Sequence, residues 1–205
     1  KLREDYRDRT KVVWRVYFGN GTSLTDAEVV RSVYDLKDSN CSELQYLEDV
    51  KYADFGHDEY LNDSSFLSGM KSLEVLIISG SPIKDLSPLS ECKNLRILEI
   101  ANCGYITDLS PLEDCESLEM LNISHTKATE GLSALEERNI THLTAVGGIW
   151  NKISQEDRDA FQEDHPDCWI VTSGNEYGVG WRYEDKETKM EWYEKASEAF
   201  KYPHA

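Results

Sequence analysis

The chain has 205 residues, 40% of them hydrophobic, which suits one domain with a single buried core. Its 22 lysines and arginines stand against 39 aspartates and glutamates, and the net charge of −17 argues against nucleic acid or an anionic membrane surface as the main ligand. No apolar run reaches the length that crosses a bilayer, so we expect no insertion into a membrane. A cationic partner, or a role of the charge in solubility alone, fits the acidic composition better.

The first region, residues 1–40, is predicted to contain a charged segment, a capping strand and a helix. The stretch VVWRVYF, residues 12–18, has apolar residues at the spacing of strand anchors, with Tyr17 between two of them. A T-x-x-E capping box begins at Thr25, and such a box satisfies the first backbone N–H groups of a helix. A helix is therefore expected over residues 26–36.

A repeat fills the second region, residues 41–146. Its clearest units open with L-x-x-L-x-L and are separated by 22, 23 and 22 residues, the opening positions being Leu73, Leu95, Leu118 and Ile140. Apolar anchors at this fixed spacing predict one short strand per coil, with the anchors facing the core. The motif DLSPL follows at residues 85–89 and 108–112, where proline forbids a long helix and favours a short 3₁₀ segment.

Two further features of the repeat can be assigned from the sequence. Small hydrogen-bonding residues are expected to close the turn after each strand, at Ser81, Cys103 and Thr126. A weaker copy upstream, LEDVKYADFG, is aligned on LEVLIISGSP with a spacing of 26 residues. This alignment predicts Val50 and Tyr52 as anchors and a bulging loop over residues 56–59.

These motifs resemble the 22-residue leucine-rich repeat class of SDS22-like and internalin-like proteins, and the resemblance covers residues 47–145 well. It implies an α/β solenoid: a right-handed coil with short parallel strands on the concave face, turns and 3₁₀ segments on the convex face, and helical caps at both ends. It also implies a curved scaffold that recognises another protein. SDS22-like members engage protein phosphatases and internalin-like members engage host surface receptors, and neither partner transfers to this chain through matching residues.

The third region, residues 147–205, is predicted to close the solenoid with a helix, a strand and an aromatic-rich tail. Ser154 is a helix N-cap, and the strand CWIV follows the helix. In the tail, Met190, Tyr193 and Phe200 lie at helical spacing, which predicts a final amphipathic helix. The tail resembles C-terminal segments of leucine-rich repeat proteins from gut Firmicutes. That resemblance implies a bacterial protein that is extracellular or on the cell surface, with a cytoplasmic location as the alternative.

The variable residues between the anchors are predicted to form the binding site, because they point out of the concave sheet. The expected partner-binding residues are Tyr17, Lys51, Val75, Ile77, Ile97, Glu99, Met120, Asn122 and His142. The apolar members are expected to form an exposed patch with a polar rim, and such a patch usually marks an interaction site. Two alternatives stay open: the C-terminal segment folds back over the patch, or a homodimer covers it.

Motifs for catalysis, cofactors and metals are not found in the sequence. There is no Gly-rich phosphate loop, zinc-protease motif or nucleophile elbow, so the expected function is non-catalytic. His125 and His142 could approach each other on adjacent coils, but two imidazoles alone make a poor metal site. The alternative function is a carbohydrate-binding surface module that uses Trp181, Trp192 or Tyr17 as stacking platforms.

Overall fold

The computed structural model describes residues 11–174 and 198–201, and most of this chain coils into a solenoid. An antiparallel hairpin comes first, formed by β1 (Arg15–Phe18) and β2 (Gly21–Leu24). Seven parallel strands follow and neighbour one another in chain order: β3 (Val29–Arg31), β4 (Tyr52–Asp54), β5 (Val75–Ile77), β6 (Ile97–Glu99), β7 (Met120–Asn122), β8 (His142–Thr144) and β9 (Trp169–Val171). Each strand therefore belongs to one coil, and each coil packs on the next.

Short 3₁₀ segments form the opposite side of the coils. Their bounds are Ser42–Tyr46, Ser65–Gly69, Ser87–Glu91, Ser110–Asp114, Leu132–Leu135 and Trp150–Lys152. The two DLSPL motifs form 3₁₀ segments as predicted, with proline in the first turn. The aspartate ahead of each segment fixes its start, since Asp85 and Asp108 each accept a 2.8 Å bond from the backbone N–H two residues later.

The core lies between the sheet and the 3₁₀ segments. The central residue of each strand points into it, and Leu76, Leu98, Leu121 and Leu143 are paired in register and buried. The predicted turn residues close the coils: the Ser81 hydroxyl and the Cys103 thiol both donate to the Ile78 carbonyl, at 2.9 and 3.2 Å. Stacking of equivalent residues thus buries the apolar side chains of each coil and gives its polar groups hydrogen-bond partners.

The predicted 26-residue spacing upstream is wrong. Tyr52 pairs with Val75 and Ala53 with Leu76, so the true offset is 23 residues. The anchors are Val50, Ala53 and Phe55, and all three are fully buried. Phe55 fills the core without a polar atom, whereas Tyr52 in that place would bury a hydroxyl that needs a partner.

The predicted N-terminal helix over residues 26–36 is also wrong, and this end of the solenoid is closed by strands. β3 occupies part of that range and pairs with β4. The capping box does not form, because the Thr25 hydroxyl accepts from the Trp14 backbone N–H at 3.2 Å and Glu28 pairs with Lys51. The open edge of β4 offers hydrogen bonds that stabilise a strand more than local propensity stabilises a helix.

The C-terminal end follows the sequence prediction as far as it is described. The Ser154 hydroxyl accepts from the Asp157 backbone N–H at 3.0 Å and begins helix α1 (Gln155–Asp164), after which β9 pairs with β8. Residues 198–200 are helical, whereas Trp181, Met190, Trp192 and Tyr193 lie outside the described residues. Within the described ranges, no helix has the length and apolar character of a membrane span.

Candidate binding face of the sheet

The face of the sheet opposite the core, here called the outer face, carries two rows of side chains. The strands are in register, so their first residues form one row: Val29, Tyr52, Val75, Ile97, Met120, His142 and Trp169. Their third residues form the second row: Arg31, Asp54, Ile77, Glu99, Asn122, Thr144 and Val171. The first row is mainly apolar or aromatic, and the second is mainly polar.

Most of the predicted site residues meet on these rows. They are Val75, Ile77, Ile97, Glu99, Met120, Asn122 and His142. Tyr17 lies elsewhere, exposed on the hairpin strand β1, and Lys51 immediately precedes β4. Tyr17 was included because the sequence predicts residues 12–18 as the first strand of the solenoid. Val29 and Arg31 of β3 were missed because the sequence predicts a helix there. The 26-residue spacing explains both the inclusion of Lys51 and the omission of Tyr52 of β4.

The apolar patch of Val75, Ile77, Ile97 and Met120 was expected to be exposed, but it is buried. Phe200 packs in one cluster with these four side chains and is itself only 5% exposed. Its ring also meets the Tyr52 ring edge-on, with 6.3 Å between the ring centres. The C-terminal segment 198–201 therefore packs over the patch, as one of the two alternatives foresaw.

The second row places carboxylates beside the apolar patch. Glu99 is 1% exposed, and its Oε1 accepts from the Ser79 hydroxyl at 2.7 Å. Asp54 is also buried, and the guanidinium of Arg31 approaches its Oδ2 at 3.2 Å. Buried carboxylates need such donors, because burying an ionised carboxylate without a partner costs far more free energy than burying an uncharged polar group. The outer face thus combines a mainly apolar row with a mainly polar one.

His142 and His125 have separate surroundings. The His142 ring meets Trp169 edge-on at 5.4 Å, and burial lowers the pKa of this imidazole from 6.5. His125 lies after β7 and packs over Gly147, where an added Cβ would lie 2.3 Å from the imidazole Nδ1. Within residues 11–174 and 198–201, no group of at least three histidine, cysteine or acidic side chains is placed to hold a metal ion.

A ladder of alternating charge precedes the strands and explains where Lys51 lies. Backbone bonds link equivalent positions from coil to coil through Glu28, Lys51, Glu74, Arg96 and Glu119. Lys51 Nζ lies 3.0 Å from Glu28 Oε1, and this contact raises the pKa of the lysine. Arg96 pairs with Glu119 in the same way. Lys51 and Arg96 thus each have an acidic partner in an adjacent coil.

Asp58, at the end of the second coil, is a buried acid that sequence reasoning missed. It is 1% exposed, and its Oδ1 accepts from the Leu36 backbone N–H at 2.9 Å. Its Oδ2 has no hydrogen-bond partner among the described residues. Burial is the main reason that the pKa of this carboxyl rises to about 7, and the nearby charges of Asp35 and Asp54 raise it further. Between the unfolded pKa of 3.8 and the folded pKa of about 7, the carboxyl therefore keeps its proton in the folded protein and loses it in the unfolded chain.

Replacing Asp58 with Asn is expected to stabilise the fold by about 1–2 kcal/mol at pH 8 and by little near pH 4. Because the folded pKa is raised, wild-type stability falls as pH rises from about 4 to about 7, and the amide does not titrate. Urea unfolding of both proteins across this pH range measures the difference. A difference in the free energy of unfolding that stays constant with pH would show that Asp58 does not titrate in this range.

Comparisons with known proteins agree with this geometry. Residues 71–114 match the family model of leucine-rich repeats, in two copies. A leucine-rich repeat protein of Leptospira interrogans matches with a TM-score of 0.53 and 22% identity, over 63% of this chain and 33% of that one. The functional domain of InlJ from Listeria monocytogenes matches with a TM-score of 0.55 and 14% identity, over 74% of this chain and 40% of that one.

An internalin (inlF) of Listeria monocytogenes is also similar, with a TM-score of 0.47, 19% identity and coverage of 74% of this chain and 49% of that one. The chain thus spans a third to a half of the length of these structures. No curated protein sequence matches it. The chain contains leucine-rich repeats and has the leucine-rich repeat fold, in which the outer face of the sheet is the concave one.

Proposed function

We propose that this leucine-rich repeat chain is a non-catalytic scaffold that binds another protein through the outer face of its sheet. The proposed contacts are Val75, Ile77, Ile97, Glu99, Met120, Asn122 and His142. The supporting observation is the packing of Phe200, an aromatic residue in a short helical segment, on the apolar patch of this face. A surface that receives one aromatic helical segment suits another of the same kind.

The chemistry of the face suggests the character of the partner. An aromatic or aliphatic anchor would pack on the apolar patch, as Phe200 does. The net charge of −17 would speed the approach of a basic partner. We further propose that this chain is itself a bacterial protein, either on the cell surface or secreted, in keeping with the Listeria and Leptospira proteins that share the fold.

Access to the face requires displacement of residues 198–201. The segment belongs to the same chain, so its effective concentration is high and weak contacts suffice to hold it. A partner must therefore bind the face more tightly than the segment does, which sets a threshold against weak, unspecific ligands.

Phe200→Ala in the full chain is expected to increase the binding of the dye ANS severalfold, because it uncovers apolar surface. The variant should also bind a labelled peptide of residues 194–205, and adding Ile97→Glu should abolish that binding. Tyr34→Ala is the matched control, since Tyr34 is exposed and lies outside the strands. Fluorescence anisotropy measures the binding of the peptide. Unchanged dye binding in Phe200→Ala would contradict the packing of Phe200 over the apolar patch.

The partner itself is sought by photo-cross-linking. A benzoyl-phenylalanine at position 142, on the outer face, is compared with one at position 87, on the 3₁₀ side. The proposal predicts that one protein is cross-linked from position 142 only and that Ile97→Glu weakens its affinity at least tenfold in surface plasmon resonance. Equal cross-linking from both positions, or an affinity that Ile97→Glu leaves unchanged, would overturn it.

The alternative of carbohydrate binding by tail aromatics stays a prediction. Trp181 and Trp192 lie outside the described residues, and Tyr17 is exposed on the hairpin. Replacing each by alanine and measuring fluorescence quenching by glycans tests it.

A further inference from the structure

A further row of residues, distinct from the two rows of the outer face, follows the C-terminal ends of the strands. It lies on an edge of the solenoid here called the rim. The third residue after each of the first six parallel strands has a positive φ, between 57° and 79°. These residues are Tyr34, His57, Gly80, Asn102, His125 and Gly147. Because the backbone conformation is the same in every coil, their side chains lie side by side along the rim.

Each glycine of this row follows a histidine in the preceding coil. The Tyr34 ring stacks on the His57 ring at 5.1 Å and 15°, and a Cβ at Gly80 would lie 3.1 Å from His57 Nδ1. Gly80 thus leaves room for the imidazole of the coil before it. Beyond Gly80 the rim opens into a depression of about 480 Å³.

The lining of this depression is half aromatic and aliphatic and half polar. Its residues include Glu59, Gly80, Asn102, Gly104, Tyr105 and Lys127. The Tyr105 side chain is 64% exposed, and Lys127 Nζ lies 5.9 Å from the centre of its ring. Apart from Gly104 itself and its two chain neighbours, no described residue has an atom within 4 Å of where a Cβ of Gly104 would be, so a ligand can approach the backbone there.

A second tyrosine extends the site along the rim. The position just before a buried anchor is occupied in successive coils by Tyr60, Pro82 and Tyr105. Tyr60 is 71% exposed. Tyr60 and Tyr105 are two coils apart, which corresponds to roughly 10 Å at the spacing of neighbouring strands. The rim therefore carries two exposed aromatic platforms, with Pro82 at the equivalent position of the coil between them.

We propose that the rim binds a neutral oligosaccharide, with one sugar ring on Tyr105 and a neighbouring ring toward Tyr60. A pyranose has an apolar face of C–H groups, which stacks on an aromatic ring, and an edge of hydroxyls. Those hydroxyls can donate to the Glu59 carboxylate and accept from Lys127. The opposite charges of Glu59 and Lys127 favour a neutral ligand over a charged one.

A protein ligand fits the rim less well. The depression instead has the volume of a small-ligand site, which falls near 300–1,000 Å³. The rim also lies off the outer face of the sheet, so this site is independent of the proposed protein-binding face.

Isothermal titration calorimetry with cellotetraose, chitotetraose and mannotetraose tests the proposal on the full chain. At least one of these glycans should bind, and Tyr105→Ala should weaken that binding at least tenfold. Gly104→Phe should do the same by filling the depression, and it should leave the melting temperature unchanged because the described part of the chain leaves the surroundings of its Cβ open.

Two controls test whether the glycan binds at the rim and whether the ligand is a sugar. Tyr17→Ala, on the hairpin, should leave glycan binding unchanged. A proline decapeptide serves as the competing class of ligand, since tyrosine-lined grooves also bind polyproline helices. Binding of the peptide but not of the glycans would overturn the proposal, as would the absence of any glycan binding or a loss of binding in Tyr17→Ala alone.

Discussion

Replacing Phe55 with alanine is expected to lower the free energy of unfolding by about 3–5 kcal/mol. The side chain is fully buried, and its ring meets the Phe66 ring edge-on at 5.6 Å. Removing it leaves a cavity between the second and third coils, which the stacked anchors of the neighbouring coils cannot collapse to fill. Urea unfolding at neutral pH, followed by circular dichroism, measures the loss.

Tyr52→Ala is the matched control for this experiment. Tyr52 lies in the outer row, half-buried and against Phe200, so we expect a loss of about 1 kcal/mol. With the anchors predicted from the sequence alone, Val50 and Tyr52, the ranking would be reversed. A larger loss for Tyr52→Ala than for Phe55→Ala would therefore contradict the 23-residue register of the structure.

Replacing Gly69 with alanine is expected to cost about 2–4 kcal/mol, although it adds only one methyl group. Gly69 ends the segment Ser65–Gly69, and a Cβ there would lie 1.9 Å from the backbone oxygen of Gln45 in the preceding coil. The clashing atom belongs to the backbone, so no side-chain rotation relieves it. The two coils must separate locally, and packing is lost where their 3₁₀ segments meet.

Gly104→Ala provides the control, because an added Cβ there would have no neighbour within 4 Å in residues 11–174 and 198–201. Its effect should stay within about 0.5 kcal/mol. Thermal unfolding of both variants by calorimetry separates the steric clash from the general effect of replacing glycine on the unfolded chain. Equal changes in the two variants would mean that the close approach at Gly69 does not limit packing.

The register error at the second coil shows where sequence reasoning loses information. In LEDVKYADFG, an anchor pattern starting at Leu47 and one ending at Phe55 both fit, because Leu, Val, Tyr, Ala and Phe are all acceptable at a buried position. Leu47 in fact follows a 3₁₀ segment, in the place that Met70, Cys92 and Cys115 take in later coils. Only contact with the next coil distinguishes the two alignments.

The repeat, the solenoid, the 3₁₀ segments of the two DLSPL motifs and the N-cap at Ser154 could be predicted from the sequence, because they depend on residues close together in the chain. Tertiary structure alone decided that residues 29–31 form a strand, that Gly69 must lack a side chain and that Phe200 packs on the apolar patch. The physical reason is one of distance along the chain. Hydrogen bonds at the edge of β4, the backbone of the preceding coil and a segment about 80 residues beyond Met120 each act between parts of the chain that local patterns do not connect.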